Sequence, residues 1–238
     1  MRFTETYTSG THTSIKFDIY QPNVILRYKG IIQIHHGLCE YSERYKKFAE
    51  YLSHEGFIVV VSDFPGHGTS LYHFEQGYFG KGNALDTLVE DIQRLRHIIA
   101  KRYEDLPYFM LGVDLGSLVL LKYAGVYGDY INGMILLGTC MKNSFYYRMK
   151  MIVDFNILLH GQMNHSRVIK KAIDLFLQRN LNGNYKMTNT KEVNLYMEDP
   201  LTDFVYTNQA YRDILDYIKY TSDEEHLKQI PQYLPVYL

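Results

Sequence analysis

The 238-residue sequence predicts an α/β fold: a mostly parallel sheet with helices on both faces, a helical insertion, and a C-terminal end that stops short of completing the sheet. Three observations predict it. Short apolar runs alternate with helical periods as far as residue 137. The alternation breaks over 141–200 and then resumes. A glycine-flanked turn, Gly112-Val113-Asp114-Leu115-Gly116, joins an apolar strand to an apolar helix.

Residues 2–8 and 13–20 read as an antiparallel strand pair around Ser9-Gly10-Thr11. Ile31 to His35 is a short buried strand. Residues 42–54 carry Tyr45, Phe48, Ala49 and Leu52 at helical spacing, and Gly56 stops the helix. Residues 57–61 are a β-branched strand. A helix over 84–102 presents Leu85, Leu88, Val89, Ile92, Leu95 and Ile99 on one face, with Asn83 as its expected cap. Strand 108–113, helix 115–126 and strand 131–137 follow. Residues 1–140 thus form a core, and 141–200 a helical cap with a helix near 166–179 and a polar break at 180–184. Residues 201–238 resume the core with helices 207–220 and 222–229. The last residues, 233–238, begin like another core strand.

The composition is 46% hydrophobic and 15% aromatic, enough for one large buried core. A net charge of −1 offers no bulk attraction to nucleic acid or anionic membrane. No apolar stretch reaches the ~18 residues that span a bilayer, and no signal-peptide core opens the chain. Two cysteines, Cys39 and Cys140, make no disulfide framework, so a cytoplasmic protein is expected. No residues show metal-ligand spacing, and neither a metal nor a cofactor is expected. Asp223-Glu224-Glu225 reads as a solvated helix start, and the cap tyrosines (Tyr146, Tyr147, Tyr185, Tyr196) reflect general tyrosine abundance as readily as a pocket.

Three segments converge at the C-terminal ends of the strands, where open α/β sheets bind ligands. His35-His36-Gly37-Leu38 closes one strand. Such a His-Gly turn can offer a backbone N–H to an oxyanion, here that of Leu38. The residue after the elbow apex, Leu115, supplies the second. Asp63-Phe64-Pro65-Gly66-His67-Gly68-Thr69-Ser70 lacks the lysine of a phosphate loop and reads as a structural turn, His67 stabilising it. The third segment is the elbow, whose flanking Gly112 and Gly116 permit close backbone approach around Asp114.

On these motifs the chain resembles the α/β-hydrolases grouped with monoacylglycerol lipases, lysophospholipases and serine aminopeptidase-like hydrolases. His36-Gly37-Leu38-Cys39-Glu40-Tyr41-Ser42-Glu43-Arg44-Tyr45 is similar to the family's H-G-x-G-E-H-S-x-R-Y segment. Residues 63–70 are similar to its D-x-R-G-H-G-x-S turn, the elbow to G-H-S-M-G-G, and Asp199-Pro200-Leu201 to the D-P-L after its cap. The resemblance implies carboxylic ester hydrolysis on an acyl ester or lipid-like substrate. Three departures stand against it. Asp114 replaces the family's serine, Val113 its histidine, and Cys39 a glycine. The strand starting at Pro235 resembles the one that leads to the family's catalytic Asp, which would lie with its His beyond residue 238.

Three readings follow. The chain is a diverged or shortened hydrolase, inactive as written. It is a non-catalytic module that binds an acyl ligand. Or Asp114 is itself a nucleophile, as in enzymes that form an alkyl-aspartyl ester, completed by a missing segment or a partner. The histidines after the elbow, His160, His165 and His226, do not fall where the fold delivers a base.

Overall fold

A computed structural model describes residues 1–23, 27–71, 73, 75–180 and 190–238. The sheet is built from β1 (Arg2–Thr8), β2 (Ser14–Tyr20), β3 (Gly30–His35), β4 (Phe57–Ser62), β5 (Tyr108–Val113), β6 (Gly133–Leu137) and β7 (Val236–Tyr237). Their spatial order is β1-β2-β4-β3-β5-β6-β7. β1 and β2 form the expected antiparallel pair, and β2 lies antiparallel to β4. Every later neighbour is parallel. The helices are α1 (Lys46–His54), α2 (Ala84–Arg102), α3 (Leu115–Tyr127), α4 (Tyr146–His160), α5 (Arg167–Asn180), α6 (Thr190–Glu198), α7 (Asn208–Thr221) and α8 (Glu224–Leu227).

Strand alternation sorts the side chains into two layers. Ile58 and Val60 of β4 enter a large core with residues of α2, α3 and α7, while Val59 and Val61 enter a smaller one with Ala49 of α1. Tyr108 and Met110 of β5 join the first, and Leu111 the second. On β6 only one face follows this rule. Met134 and Leu136 are buried, whereas Ile135 and Leu137 are 42% and 46% exposed.

The register positions the site. His35 pairs with both Ser62 and Gly112, and Val113 with Leu137. The loops that leave these strands therefore emerge side by side.

Several elements differ from the pattern in the sequence. The helix expected over 42–54 begins as a 3-10 turn, Ser42–Tyr45, before α1. Its first N–H, from Ser42, is drawn 2.9 Å from the Asp63 carboxylate, a tertiary partner that propensity does not see. Asn83 occupies the cap position of α2, but its amide donates to Asp86 (2.5 Å) instead of capping backbone. β6 starts at Gly133 because Gly128–Tyr130 forms another 3-10 turn and Asn132 is tied to Tyr108. α4 and α6 escape a periodicity reading. α4 is apolar nearly all round, burying Tyr146 and Val153 while Met151 and Leu158 are 70% and 80% exposed. Most of the polar break at 180–184, and Tyr185, lie outside the described residues.

Candidate active site

β5 delivers Asp114 at φ 51° and ψ −108°, a strained backbone for a residue with a side chain. Two glycines make the turn possible. A Cβ on Gly112 would sit 2.6 Å from the Gly116 carbonyl, and one on Gly116 would sit 2.3 Å from the His35 oxygen. The apex is held from both sides. Its N–H donates to the Leu137 carbonyl (2.7 Å), and its own carbonyl accepts from the Ser117 and Leu118 N–H groups (3.0 and 3.2 Å). α3 starts at Leu115, so the Leu115 N–H belongs to the first helical turn, whose donors have no intrahelical acceptor.

The His-Gly turn packs directly on this apex. The Gly116 N–H donates to the His36 carbonyl (3.1 Å), which ties the two segments together. The Leu38 N–H donates to Asp114 Oδ2 at 3.4 Å. A Cβ on Gly37 would lie 3.1 Å from Asp114 Cβ and 2.7 Å from Glu40 Oε1. Asp114, Leu38, Leu115, Gly37, Gly112 and Gly116 are thus brought together.

Glu40, which the sequence reading left unassigned, organises the turn from behind. Its Oε1 accepts from the Gly37 N–H (2.6 Å) and the Tyr45 hydroxyl (2.7 Å). Its Oε2 lies 3.6 Å from Arg44 Nε, and the Arg44 guanidinium stands 4.9 Å over the Tyr196 ring. Its signals in the sequence were its place three residues after Gly37 and its match to the Glu of the H-G-x-G-E segment.

The imidazoles beneath the elbow are buried and neutral. His36 Nε2 accepts from the Phe64 N–H (2.9 Å), so its Nδ1–H donates to the Gly37 carbonyl (2.8 Å). His67 Nδ1–H donates to the Pro65 carbonyl (3.0 Å), which leaves Nε2 to accept from the Tyr206 hydroxyl (2.7 Å). His35 Nε2 faces the Gln33 amide at 3.1 Å. Burial pushes His36 down to about 4, and His35 and His67 to about 3. Neither His36 nor His67 keeps a nitrogen for proton transfer at Asp114. His165 is spent on the Val205 carbonyl (2.7 Å), and His226 stacks on Tyr220 at 3.8 Å.

Asp63 is a turn organiser. It accepts from the Ser42 N–H, the Thr69 N–H and the Ser70 hydroxyl, and burial raises its pKa. Among the described residues no group of three or more His, Cys, Asp or Glu side chains is arranged to hold a metal ion.

A family model described as "Serine aminopeptidase, S33" matches residues 27–236. The chain is 29% identical over 124 residues to the monoacylglycerol lipase of Mycolicibacterium smegmatis, covering 52% of this chain and 42% of that protein. It is 25% identical over 175 residues to human monoglyceride lipase, covering 73% and 52%. The matched stretch is less than two thirds of either relative's own length. A carboxyl esterase from Bacillus coagulans superposes with a TM-score of 0.80 at 23% identity, over 99% of this chain and 78% of that one, and this likeness speaks for the fold. With its parallel sheet, its elbow and a match across most of its length, the chain has the α/β-hydrolase fold and belongs to the serine aminopeptidase S33 family.

Proposed function

We propose that this chain is a hydrolase scaffold that binds an acyl ester or related lipid-like ligand at the elbow and does not cleave it by serine chemistry. The contact between Asp114 Oδ2 and the Leu38 N–H carries this reading. Serine hydrolysis needs an alkoxide at the apex and open donors for the oxyanion it creates. Asp114 supplies no alkoxide, and its carboxylate takes up the first donor. Of the imidazoles beneath it, His36 and His67 have no nitrogen left to act as base.

The ligand class is carried over from relatives named as lipases of monoacylglycerols. Residues 141–200 act as a cap on this reading. In support, the Tyr196 hydroxyl donates to the Cys39 carbonyl (3.0 Å) and the Tyr41 hydroxyl to Asp199 (2.9 Å), joining the end of this stretch to the segment that follows the His-Gly turn. Among the described residues no helix is long and apolar enough to cross a membrane.

The test uses the chain with p-nitrophenyl butyrate and with a monoacylglycerol series. Neither the wild type nor Asp114→Ser is expected to turn over the ester; turnover by the wild type would overturn the loss of serine chemistry, and turnover by Asp114→Ser would overturn the lack of a base. A ligand at about 100 times its Kd stabilises a native protein by about 2.7 kcal/mol, so a binding monoacylglycerol raises Tm by several degrees. No shift across a broad acyl series would remove the ligand.

A second reading draws on the carboxylate that β5 delivers at the elbow apex. A carboxylate can itself attack an sp3 carbon. It would form an aspartyl ester while the C–halogen or epoxide C–O bond breaks and the leaving group takes the electron pair. Mass spectrometry of peptide 108–121 after incubation with a haloalkane or an epoxide decides this. An adduct on Asp114 supports it, and an unmodified peptide at long times excludes it.

A further inference from the structure

We propose that Tyr206 is a positioning residue for the elbow: its hydroxyl, set between the Cys39 N–H and His67, fixes the direction of the Leu38 N–H that faces Asp114. Peptide geometry supplies the reason. A trans peptide is planar, so gripping its carbonyl aims its N–H the opposite way. The plane that carries the Leu38 N–H also carries the Gly37 carbonyl, and His36 Nδ1–H holds that carbonyl at 2.8 Å. The next plane carries the Cys39 N–H, which donates to the Tyr206 hydroxyl at 2.9 Å. With both planes held, neither dihedral of Leu38 can drift.

The hold is needed because the turn is not at rest. Cys39 sits at φ 52°, a left-handed conformation that a residue with a Cβ adopts at a cost. Tyr206 meets the turn from a segment far away in the sequence and is 1% exposed. Its hydroxyl works in one direction only. Having accepted from Cys39, it donates to His67 Nε2 at 2.7 Å, and His67 Nδ1–H passes on to the Pro65 carbonyl at 3.0 Å. Aromatic neighbours lock the imidazole in place: Phe79 lies 5.7 Å away in a stacked arrangement and Phe204 5.3 Å away edge-on. The Asp63 turn, the segment before α7 and the donor over Asp114 are thereby one hydrogen-bonded unit.

This inference rests on Leu38 as the donor the elbow uses, yet its test needs no ligand. A failed thermal shift with acyl ligands would count against the binding reading and leave the exchange rates below untouched. Amide hydrogen exchange is read by NMR in the wild type, Tyr206→Phe, His67→Gln and Tyr217→Phe. Loss of one hydrogen bond corresponds to about tenfold in exchange. In Tyr206→Phe, Leu38 and Cys39 are expected to exchange about tenfold faster while amides of β3 and β5 keep their rates. His67→Gln restores an acceptor near Nε2 and retains the protection. Tyr217→Phe deletes another buried hydroxyl, which donates to the Ala84 and Leu85 carbonyls, and leaves Leu38 and Cys39 unchanged. Rates for Leu38 and Cys39 within about twofold of wild type in Tyr206→Phe would overturn the proposal. So would an equal acceleration throughout β3 and β5. Should Tyr206→Phe fail to fold, the wild-type His67 ring nitrogens decide. Protonated Nδ1 and bare Nε2 from about pH 5 to 8 support the relay, and the opposite tautomer refutes it.

Discussion

A methyl group on Gly116 would have to displace the His35 carbonyl, which lies 2.3 Å from where its Cβ would be. The obstacle is backbone at the end of a central strand, so no flexible side chain can give way. Gly116→Ala is expected to cost on the order of 1–3 kcal/mol, as overpacking typically does, seen as a lower urea midpoint with little change in slope. An unchanged midpoint would show that the elbow is looser than its geometry. This part of the site was legible in the sequence because close backbone approach leaves a signature: two glycines, a fixed spacing and an apolar strand before them. Leu38 came instead from the His-Gly turn that closes β3. Tyr206 was not legible, because a hydroxyl that reaches across the fold from residue 206 to residue 39 leaves no local pattern. What Asp114 does with its carboxylate was equally hidden, since only the folded turn puts the Leu38 N–H beside it.

Among the elements, those with a clean period were readable and those shaped by tertiary partners were not. The strands of the central sheet and helices α2, α3 and α7 fall within a residue or two of their sequence expectation, because each buries one face or one whole surface in the large core. The 3-10 start of residues 42–45 depends on Asp63, and α4 is apolar on its exposed side as well as its buried one. The start of α7 gives a test of local capping. Thr207 accepts from the Ala210 N–H at 3.2 Å and donates to the Gly77 carbonyl at 3.2 Å, joining the helix to the segment before α2. Thr207→Ala removes both bonds and is expected to destabilise the protein by about 1–2 kcal/mol in equilibrium unfolding. Thr207→Ser keeps the hydroxyl and should recover most of that loss. If the serine variant is as unstable as the alanine one, the methyl packing and not the cap is what matters.

Burial of three neutral imidazoles gives the molecule as a whole a pH dependence whose sign can be worked out. His36 titrates at about 4, and His35 and His67 at about 3, against about 6.5 in an unfolded chain. As pH falls through 6.5 the unfolded state takes up protons that the folded state refuses. Stability therefore falls with pH, by at most about 1.4 kcal/mol per pH unit for each ring, down to about pH 4. Asp213 acts the other way. Burial in α7 pushes it up to about 7, although the Gln209 amide donates to it at 2.7 Å. Between about pH 4 and 7 the folded state holds a proton on Asp213 that the unfolded state lacks, and this offsets one imidazole. Burial raises Asp63 and Asp91 in the same sense. The urea midpoint is accordingly expected to drop as pH goes from 7 to 5, and less steeply than three imidazoles alone would impose. Asp213→Asn removes the clearest offset while its carbonyl can still accept from Gln209. That variant should lose stability more steeply over the same range. A midpoint that stays flat from pH 7 to 5 in both proteins would mean that the imidazoles under the elbow take up protons without resistance. The hydrogen-bond directions that aim the Leu38 donor would then be wrong along with it.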